Sequence, residues 1–207
     1  ARGRVGLAIG MRGDERRQRT EHLALMAQAS RRFGFYILVA LAAQLMIPII
    51  YGNAAGTLVT LPLVSLFTVL PYYQAGIVLS LALTRTSYPV GRTYGIDLIG
   101  AAGGCLAALL LMRLFDAPSA VLILAVMAMA ASHLFNKADG TKKQASWLRR
   151  VDIVVVALLL LVAVNAGLPR PVIYPFWVKT IPVTQNQLVY DRWNSISRVT
   201  VDNERED

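Results

Sequence analysis

Cysteine and histidine are scarce in this sequence, which contains one of the former and two of the latter among 207 residues. The single cysteine, Cys105, excludes an internal disulfide and lies in an apolar segment, where a lone Cys usually behaves as a small hydrophobic residue. His22 and His133 are far apart and have no cysteine partners, so no metal-binding framework is present. No Ser–His–Asp arrangement, carboxylate pair or nucleotide fingerprint is visible either. We therefore predict no cofactor, no metal and no catalytic residue within this chain.

Charged residues are also few, at 16% of the sequence, whereas hydrophobic residues make up 56%. A helix needs about 20 apolar residues to cross a hydrocarbon core of about 30 Å. The alternative, a soluble all-α domain, conflicts with helices that are apolar on every face, because soluble helices carry one apolar stripe. We predict an all-α membrane protein, a bundle of about five transmembrane helices followed by a short β-like segment. The predicted spans are 33–51, 58–83, 95–115, 118–135 and 151–168.

The formal net charge of +9 is concentrated beside the apolar runs. Residues 1–32 hold eight Arg against three acidic residues, and residues 136–150 hold five basic residues against one acidic residue. Lys and Arg mark the cytoplasmic side of membrane proteins, and the five-span arrangement places both segments there. We therefore expect a multi-pass protein of the cell (inner or plasma) membrane with a cytoplasmic N-terminus. The lipid bilayer is the predicted partner, and nucleic acid is not, because no recognition motif accompanies the charge.

Three regions follow from this distribution: a basic cytoplasmic segment at 1–32, a transmembrane domain at 33–168 and a C-terminal segment at 169–207. The last region begins with aromatic residues typical of a membrane interface, namely Tyr174, Phe176 and Trp177. Its β-branched stretches at 188–190 and 196–201 predict strands. Two short strands are marginal alone, so we expect them to open a following domain and the chain to be an excerpt of a longer protein.

The third apolar run contains a cluster of small residues. Gly100 and Gly104 form a G-x-x-x-G pattern that Ala101 and Ala108 extend. Four residues are about one helical turn, so these positions share a face that allows another helix to approach closely. A phosphate-binding loop is the rival interpretation, but such a loop follows a strand, whereas this segment continues into an apolar run. We predict helix packing at this face.

A few polar residues fall within the apolar runs. Asp97 is either an acid in the first turns of a helix, close to Arg92, or a polar group that faces a cavity or ion path, with Arg85 or Arg92 as its partner. Both interpretations stay open on the sequence, and Arg92 is kept with Asp97 as a candidate functional residue. For Gln44 and Asn165 we expect hydrogen bonds between helices, and Gln44 is also kept with Asp97 and Arg92 as a candidate functional polar residue.

Two stretches, PYYQAGIVLSLALTR at 71–85 and GRTYGIDLIGAAGGCLAALLLMRL at 91–114, resemble the membrane region of spermidine-synthase-like multi-pass proteins. The stretch RWNSISRV at 192–199 is similar to the Trp-Asn-Ser-x-Ser-Arg-Val strand that precedes the synthase domain of that family. Neither piece is an active-site motif. The positions of the first match are Pro71, Tyr72, Tyr73, Gly76, Tyr94, Asp97, Leu98, Gly100, Ala101 and Gly104.

The resemblance implies a membrane anchor joined to an intramolecular catalytic domain. In soluble relatives that domain is a transferase of polyamine metabolism, which moves an aminopropyl group from decarboxylated S-adenosylmethionine to putrescine. Its catalytic aspartate would lie after Asp207, so no catalytic residue is carried over. The five-span topology places the C-terminus outside, whereas that substrate is cytosolic, so the side of the membrane stays open. The alternatives are a small transporter or channel subunit, and a structural scaffold that forms homo-oligomers through its glycine face.

Overall fold

The computed structural model describes residues 2–50, 53–85, 88–139, 145–168, 171–178, 181–183 and 188–202. Within these ranges the chain forms five α-helices followed by short β-strands, which confirms the predicted all-α class with a small C-terminal β segment. The helices are α1 (Arg2–Met46), α2 (Ala54–Arg85), α3 (Val90–Leu114), α4 (Ala117–Asp139) and α5 (Ala145–Gly167). The strands are β1 (Trp177–Val178), β2 (Ile181–Pro182), β3 (Leu188–Trp193) and β4 (Arg198–Asp202).

Helix α1 differs from its prediction at both ends. It is a single helix of 45 residues that continues from the basic N-terminal segment into the apolar run without a break at Arg32. The helix stops at Met46, before the far end of the predicted span 33–51. Pro48 accounts for the stop, since a proline disfavours helical backbone in the residue before it and donates no hydrogen bond itself.

Three of the described helices are long and apolar enough to cross a membrane, namely 54–85, 90–114 and 117–138. They contain the predicted spans 58–83, 95–115 and 118–135 to within one residue. The predicted span 151–168 falls in α5, whose described apolar part is the shorter stretch Ile153–Gly167. Membrane association thus has its clearest support in α2, α3 and α4.

The core of the bundle lies between α1, α4 and α5. Helix α1 packs along α4 and α2, and α4 also packs on α5, whereas α3 touches α2 and α4 only slightly. Between apolar helices in lipid, such packing is stabilised by van der Waals contact rather than by removal of surface from water. The buried cluster consists of Ile37, Leu41, Leu122, Ala125, Leu158 and Val162.

Helices α1 and α4 approach each other closely at Gly34, a position that was not among the predicted packing residues. A Cβ atom at Gly34 would lie 3.2 Å from the Ala125 carbonyl oxygen and 3.3 Å from the Ala128 Cβ. About two turns nearer the N-terminus of α1, the buried Ser132 hydroxyl of α4 donates to the Ala27 carbonyl at 2.7 Å. Small residues therefore let the two backbones approach, as they do between membrane helices generally.

The C-terminal strands form two antiparallel pairs, β1 with β2 and β3 with β4. Strands were predicted at 188–190 and 196–201, and the observed β3 and β4 contain most of those residues. Both pairs are tied to helices: the Trp177 indole donates to the Met46 carbonyl at 3.1 Å, and the Ser195 hydroxyl donates to the Leu109 carbonyl at 3.4 Å. The C-terminal segment therefore sits against the ends of α1 and α3.

Candidate functional site

Asp97 lines a groove that α1, α2, α3 and α4 bound together. The groove has a volume of about 540 Å³, and its described lining is apolar except for Ser30, Thr93 and Asp97. Asp97 provides the one charge among those lining residues. Of the two interpretations that the sequence left open, this placement matches a carboxylate that faces a cavity.

The proposed basic partners of Asp97 are not found. Among the described residues Asp97 forms no ion pair, and Arg92 instead lies over the Tyr88 ring, 6.0 Å from its centroid. Residues five apart on a helix differ by about 140° around its axis, so Arg92 and Asp97 occupy different faces. Asp97 is the eighth residue of α3, which begins at Val90, so it lies about two turns into the helix, and the interpretation as an acid of the first turns stays a prediction.

Gln44 connects α1 with α2. Its side-chain amide donates to the Thr68 hydroxyl at 3.3 Å, and that hydroxyl donates in turn to the Val64 carbonyl at 3.1 Å. The hydrogen bond between helices that the sequence suggested for Gln44 is therefore present. Its geometry gives Gln44 a structural role at the α1–α2 contact.

The glycine face of α3 has no neighbour within the described chain. A Cβ atom at Gly100 or Gly104 would meet nothing within 4 Å, and Ala101 and Ala108 are exposed. None of the residues of α3 is buried. A partner for this face would have to come from outside the described residues, and helix packing there stays a prediction.

Asn165 is the centre of a buried polar network at the end of the bundle that faces the strands. Its side chain is 1% exposed, and its amide group donates to the Asp116 carboxylate at 2.9 Å and to the Ser119 hydroxyl at 3.0 Å. Its side-chain oxygen accepts from the Ile173 backbone N–H at 2.6 Å. One amide thus joins α5 to the α3–α4 turn, to α4 and to the segment that follows α5.

Asp116 has a second role in this network as the cap of α4. Its other carboxylate oxygen accepts from the Ser119 backbone N–H at 2.7 Å, which satisfies one of the unpaired N–H groups that begin every helix. The sequence pattern D-A-P-S at 116–119 contains this signal, since an acid followed by proline two positions later is typical of a helix start. The contact between Asp116 and Asn165 has no local sequence signal, because it joins residues 49 positions apart.

The Trp-Asn-Ser-x-Ser-Arg-Val match forms the turn between β3 and β4. The Asn194 side-chain oxygen accepts from the backbone N–H groups of Ile196 at 2.8 Å and Ser197 at 2.7 Å. The Asn194 N–H donates to the Ser197 carbonyl at 2.9 Å and closes the loop. Asn commonly stabilises turns by bonding to backbone two residues ahead. The motif thus has a structural role in this chain, since its Asn194 stabilises the turn between β3 and β4.

Arg198 holds the same hairpin across its two strands. Its guanidinium donates to both Asp191 carboxylate oxygens, at 2.8 and 2.7 Å, and lies over the Trp193 ring at 5.7 Å from the centroid. The Arg198 side chain is largely buried. A bidentate charge-assisted pair fixes both distance and orientation, so it sets the register of β3 against β4.

Replacing Asn194 by alanine should loosen this hairpin. The turn loses two side-chain hydrogen bonds, which together are worth about 1–2 kcal/mol in the local stability of β3 and β4. Amide hydrogen exchange in the full chain should therefore become faster across 188–202, with no change in the helices. Ile196→Ala is the matched control, because the Ile196 side chain is 94% exposed, and it should leave exchange unchanged. Equal exchange rates in both variants would contradict this role for Asn194.

Basic residues bound the first apolar run on its N-terminal side. Burial lowers the pKa of Arg31 from its usual value, and the charge of neighbouring Arg32 lowers it further. Arginine nevertheless keeps its charge at neutral pH, because its ordinary pKa lies far above that range. Arg31 and Arg32 therefore form a fixed positive boundary within α1.

Comparisons of the chain with protein-family models, with characterised proteins and with solved structures found no match. The positions of the family resemblance can still be located in the fold. Pro71 is buried in α2, whereas the tyrosines Tyr72, Tyr73 and Tyr94 are exposed. Any functional conclusion therefore depends on the resemblance and on the geometry described above.

Proposed function

We propose that this chain is a membrane anchor, the membrane region of a spermidine-synthase-like protein whose aminopropyl-transfer chemistry resides outside these residues. The observation that carries the proposal is the surface of α3, on which large apolar side chains such as Ile99 and Leu106 are exposed along the whole helix. Soluble monomers rarely expose apolar patches beyond a few hundred Å². Lipid is the solvent that accepts such a surface.

The proposed arrangement has five helices that cross the plasma membrane, with the N-terminus in the cytoplasm. The distribution of Lys and Arg supports this orientation, because the basic segments at 1–32 and 136–150 then lie on one side. The hydrogen bonds that Ile50 forms with Thr57 and Thr60 support the proposal that the end of α1 lies in the membrane. Thr60 Oγ accepts from the Ile50 N–H at 3.3 Å, and the Thr57 hydroxyl donates to the Ile50 carbonyl at 2.5 Å. Non-helical backbone at membrane depth requires such partners.

The anchor would also orient the domain attached to it. Asn165 bonds to the Ile173 backbone, and Trp177 bonds to the end of α1, so the segment after α5 is held at two points. The β3–β4 hairpin, which contains the second family match, bonds to α3 through Ser195. An attached domain would therefore take a fixed orientation relative to the bilayer, rather than move freely on a flexible linker.

Two measurements on the native gene product test the proposal. Alkaline carbonate should leave the protein in the membrane pellet, and the purified protein should transfer an aminopropyl group from decarboxylated S-adenosylmethionine to putrescine. Release into the carbonate supernatant would refute the anchor. Retention in the membrane without transfer activity would refute the spermidine-synthase-like assignment and leave the anchor in place.

A transporter or channel subunit is the second candidate, and the Asp97 groove is the observation that favours it. An unpaired carboxylate in an apolar groove among four helices is suited to a solute that bears a positive charge. If this function is correct, Asp97→Asn should reduce the flux of putrescine into vesicles that contain the protein. Ile96→Leu changes the same groove without altering charge and should leave flux intact. Equal flux in wild type and Asp97→Asn would remove this candidate.

A further inference from the structure

A second cavity lies where the bundle meets the C-terminal strands. It has a volume of about 490 Å³ and lies between the ends of α3 and α5 on one side and β3 on the other. The Asn165 network forms part of its wall, so that part is fixed by buried hydrogen bonds. Its charged and polar lining residues are Arg113, Asp116, Asn165, Asp191, Arg192 and Trp193.

The two carboxylates of this lining are already engaged. Asp116 accepts hydrogen bonds from Asn165 and from the Ser119 backbone through different oxygens. Asp191 accepts a bidentate pair from Arg198. A carboxylate whose two oxygens both accept hydrogen bonds from the protein offers little to a cationic ligand. Arg198 neutralises the charge of Asp191, whereas Asp116, whose donors are neutral groups, keeps its negative charge.

The two guanidinium groups of the lining are not engaged in this way. The guanidinium groups of Arg113 and Arg192 form no hydrogen bond or ion pair with the described residues, and both residues are exposed. Arg113 comes from the last turn of α3, and Arg192 comes from β3, so two distant parts of the chain bring them to one cavity. With Asp191 paired to Arg198, the two guanidinium groups outnumber the one remaining carboxylate, Asp116, and leave a net positive charge with several unused donors.

We propose that this cavity binds a phosphate group through Arg113 and Arg192. The planar guanidinium fork matches the geometry of phosphate oxygens and forms charge-assisted hydrogen bonds with them. Apolar side chains, including Phe115 and Leu188, line the same cavity, so the phosphate can belong to an amphiphile. The phosphate comes either from a phospholipid headgroup or from a soluble phosphate ester. This inference goes beyond the anchor function, since binding would occur in the bundle itself.

The test uses the full chain in a neutral detergent with three probes. Short-chain phosphatidylglycerol presents a phosphate with acyl chains, glycerol 3-phosphate presents a phosphate alone, and a short-chain diacylglycerol presents acyl chains without phosphate. We expect at least one phosphate probe to bind and the diacylglycerol to fail. Phosphatidylglycerol alone would identify the source as a lipid headgroup, whereas binding of both phosphate probes would identify a soluble ester as sufficient.

Arginine variants decide whether this cavity is the site. Arg113→Gln and Arg192→Gln should each weaken phosphate-probe binding about tenfold or more, because each removes a charge-assisted contact. Arg113→Lys keeps the charge but loses the fork and should give an intermediate loss, which separates recognition from misfolding. Arg19→Gln is the control, because Arg19 is an exposed arginine of α1 that does not line the cavity, and it should bind as wild type.

Two results would overturn the inference: no binding of either phosphate probe, or binding that is equal in wild type and both Gln variants. Thermal unfolding of each variant checks that it is folded before binding is measured. The membrane-anchor proposal is tested separately by carbonate extraction, so failure of one can be distinguished from failure of the other. A chain that binds phosphate but leaves the membrane in carbonate would retain this site and lose the anchor.

Discussion

Replacing Gly34 by leucine should force α1 away from α4 and strongly destabilise the bundle. A Cβ atom at this position would lie only 3.2 Å from the backbone carbonyl oxygen of Ala125, and that oxygen cannot move unless α4 moves. Overpacking of a tight interface typically costs about 1–3 kcal/mol and occasionally more. We expect a large drop in the midpoint of thermal unfolding of the full chain in detergent. Tryptophan fluorescence measures this midpoint.

Gly100→Leu is the matched control for this prediction. The same substitution on α3 meets nothing within 4 Å, so the unfolding midpoint should stay at the wild-type value. If the glycine face of α3 mediates homo-oligomers, Gly100→Leu should reduce self-association instead, which crosslinking in the membrane would detect. Equal midpoints for Gly34→Leu and wild type would show that α1 and α4 do not approach as described.

Asn165→Leu should produce the second large effect. The substitution keeps a similar volume but removes the partner of the Ile173 N–H and of one Asp116 oxygen. A buried polar group left without a partner costs about 1–3 kcal/mol, and more where it is charged. The unfolding midpoint should therefore fall, and the segment after α5 should become accessible to protease because its tie to the bundle is lost.

The neighbouring change Val164→Leu provides the comparison for Asn165→Leu. Val164 is exposed on the same helix, so a larger apolar side chain there should change neither stability nor protease resistance. The unfolding midpoint of Asn165→Asp offers a further check and should also fall, because this change places a carboxylate beside that of Asp116. Two carboxylates at that distance repel each other. An Asn165→Leu protein as stable and as protease-resistant as wild type would refute the structural role of this amide.

Helix class and number were predictable because the signals are local. Long apolar runs determine where α2, α3 and α4 lie, and β-branched residues indicate β3 and β4. The end of α1 was missed although Pro48 was visible, because apolar character continues beyond that residue whereas the helix does not. Composition therefore predicts the extent of apolar sequence better than it predicts the ends of helices.

The sequence indicates where a helix can be approached closely, but not which helix lies there. The pattern at Gly100 and Gly104 shows that a close approach is sterically allowed, but it does not show which helix is adjacent. At Gly34 the neighbour is α4, with Ala125 and Ala128 opposite, and this pairing depends on the fold of the whole bundle. Small residues at 27, 30 and 34 were a usable signal, since their spacing places them on one helical face.

The polar sites have the same explanation. Asp97 could be selected from the sequence because an acid in an apolar run is rare, yet its groove requires four helices. The Asn165 network and the cavity with Arg113 and Arg192 unite residues from α3, α5 and β3. No local sequence pattern indicates that those segments are adjacent, so this site could not be predicted without the fold.

Labelling of Cys105 tests the central claim, that lipid surrounds the exposed apolar helices. Cys105 is exposed on α3 in the structure, so protein does not shield its thiol. In opened membranes, where both surfaces are accessible, a charged maleimide should fail to label it and should label it readily in SDS. The control is Ile196→Cys in a Cys105→Ala background, which should react in the same membranes because that side chain is exposed at the β3–β4 turn. Labelling of Cys105 at the rate of the control would place α3 in water and contradict the account.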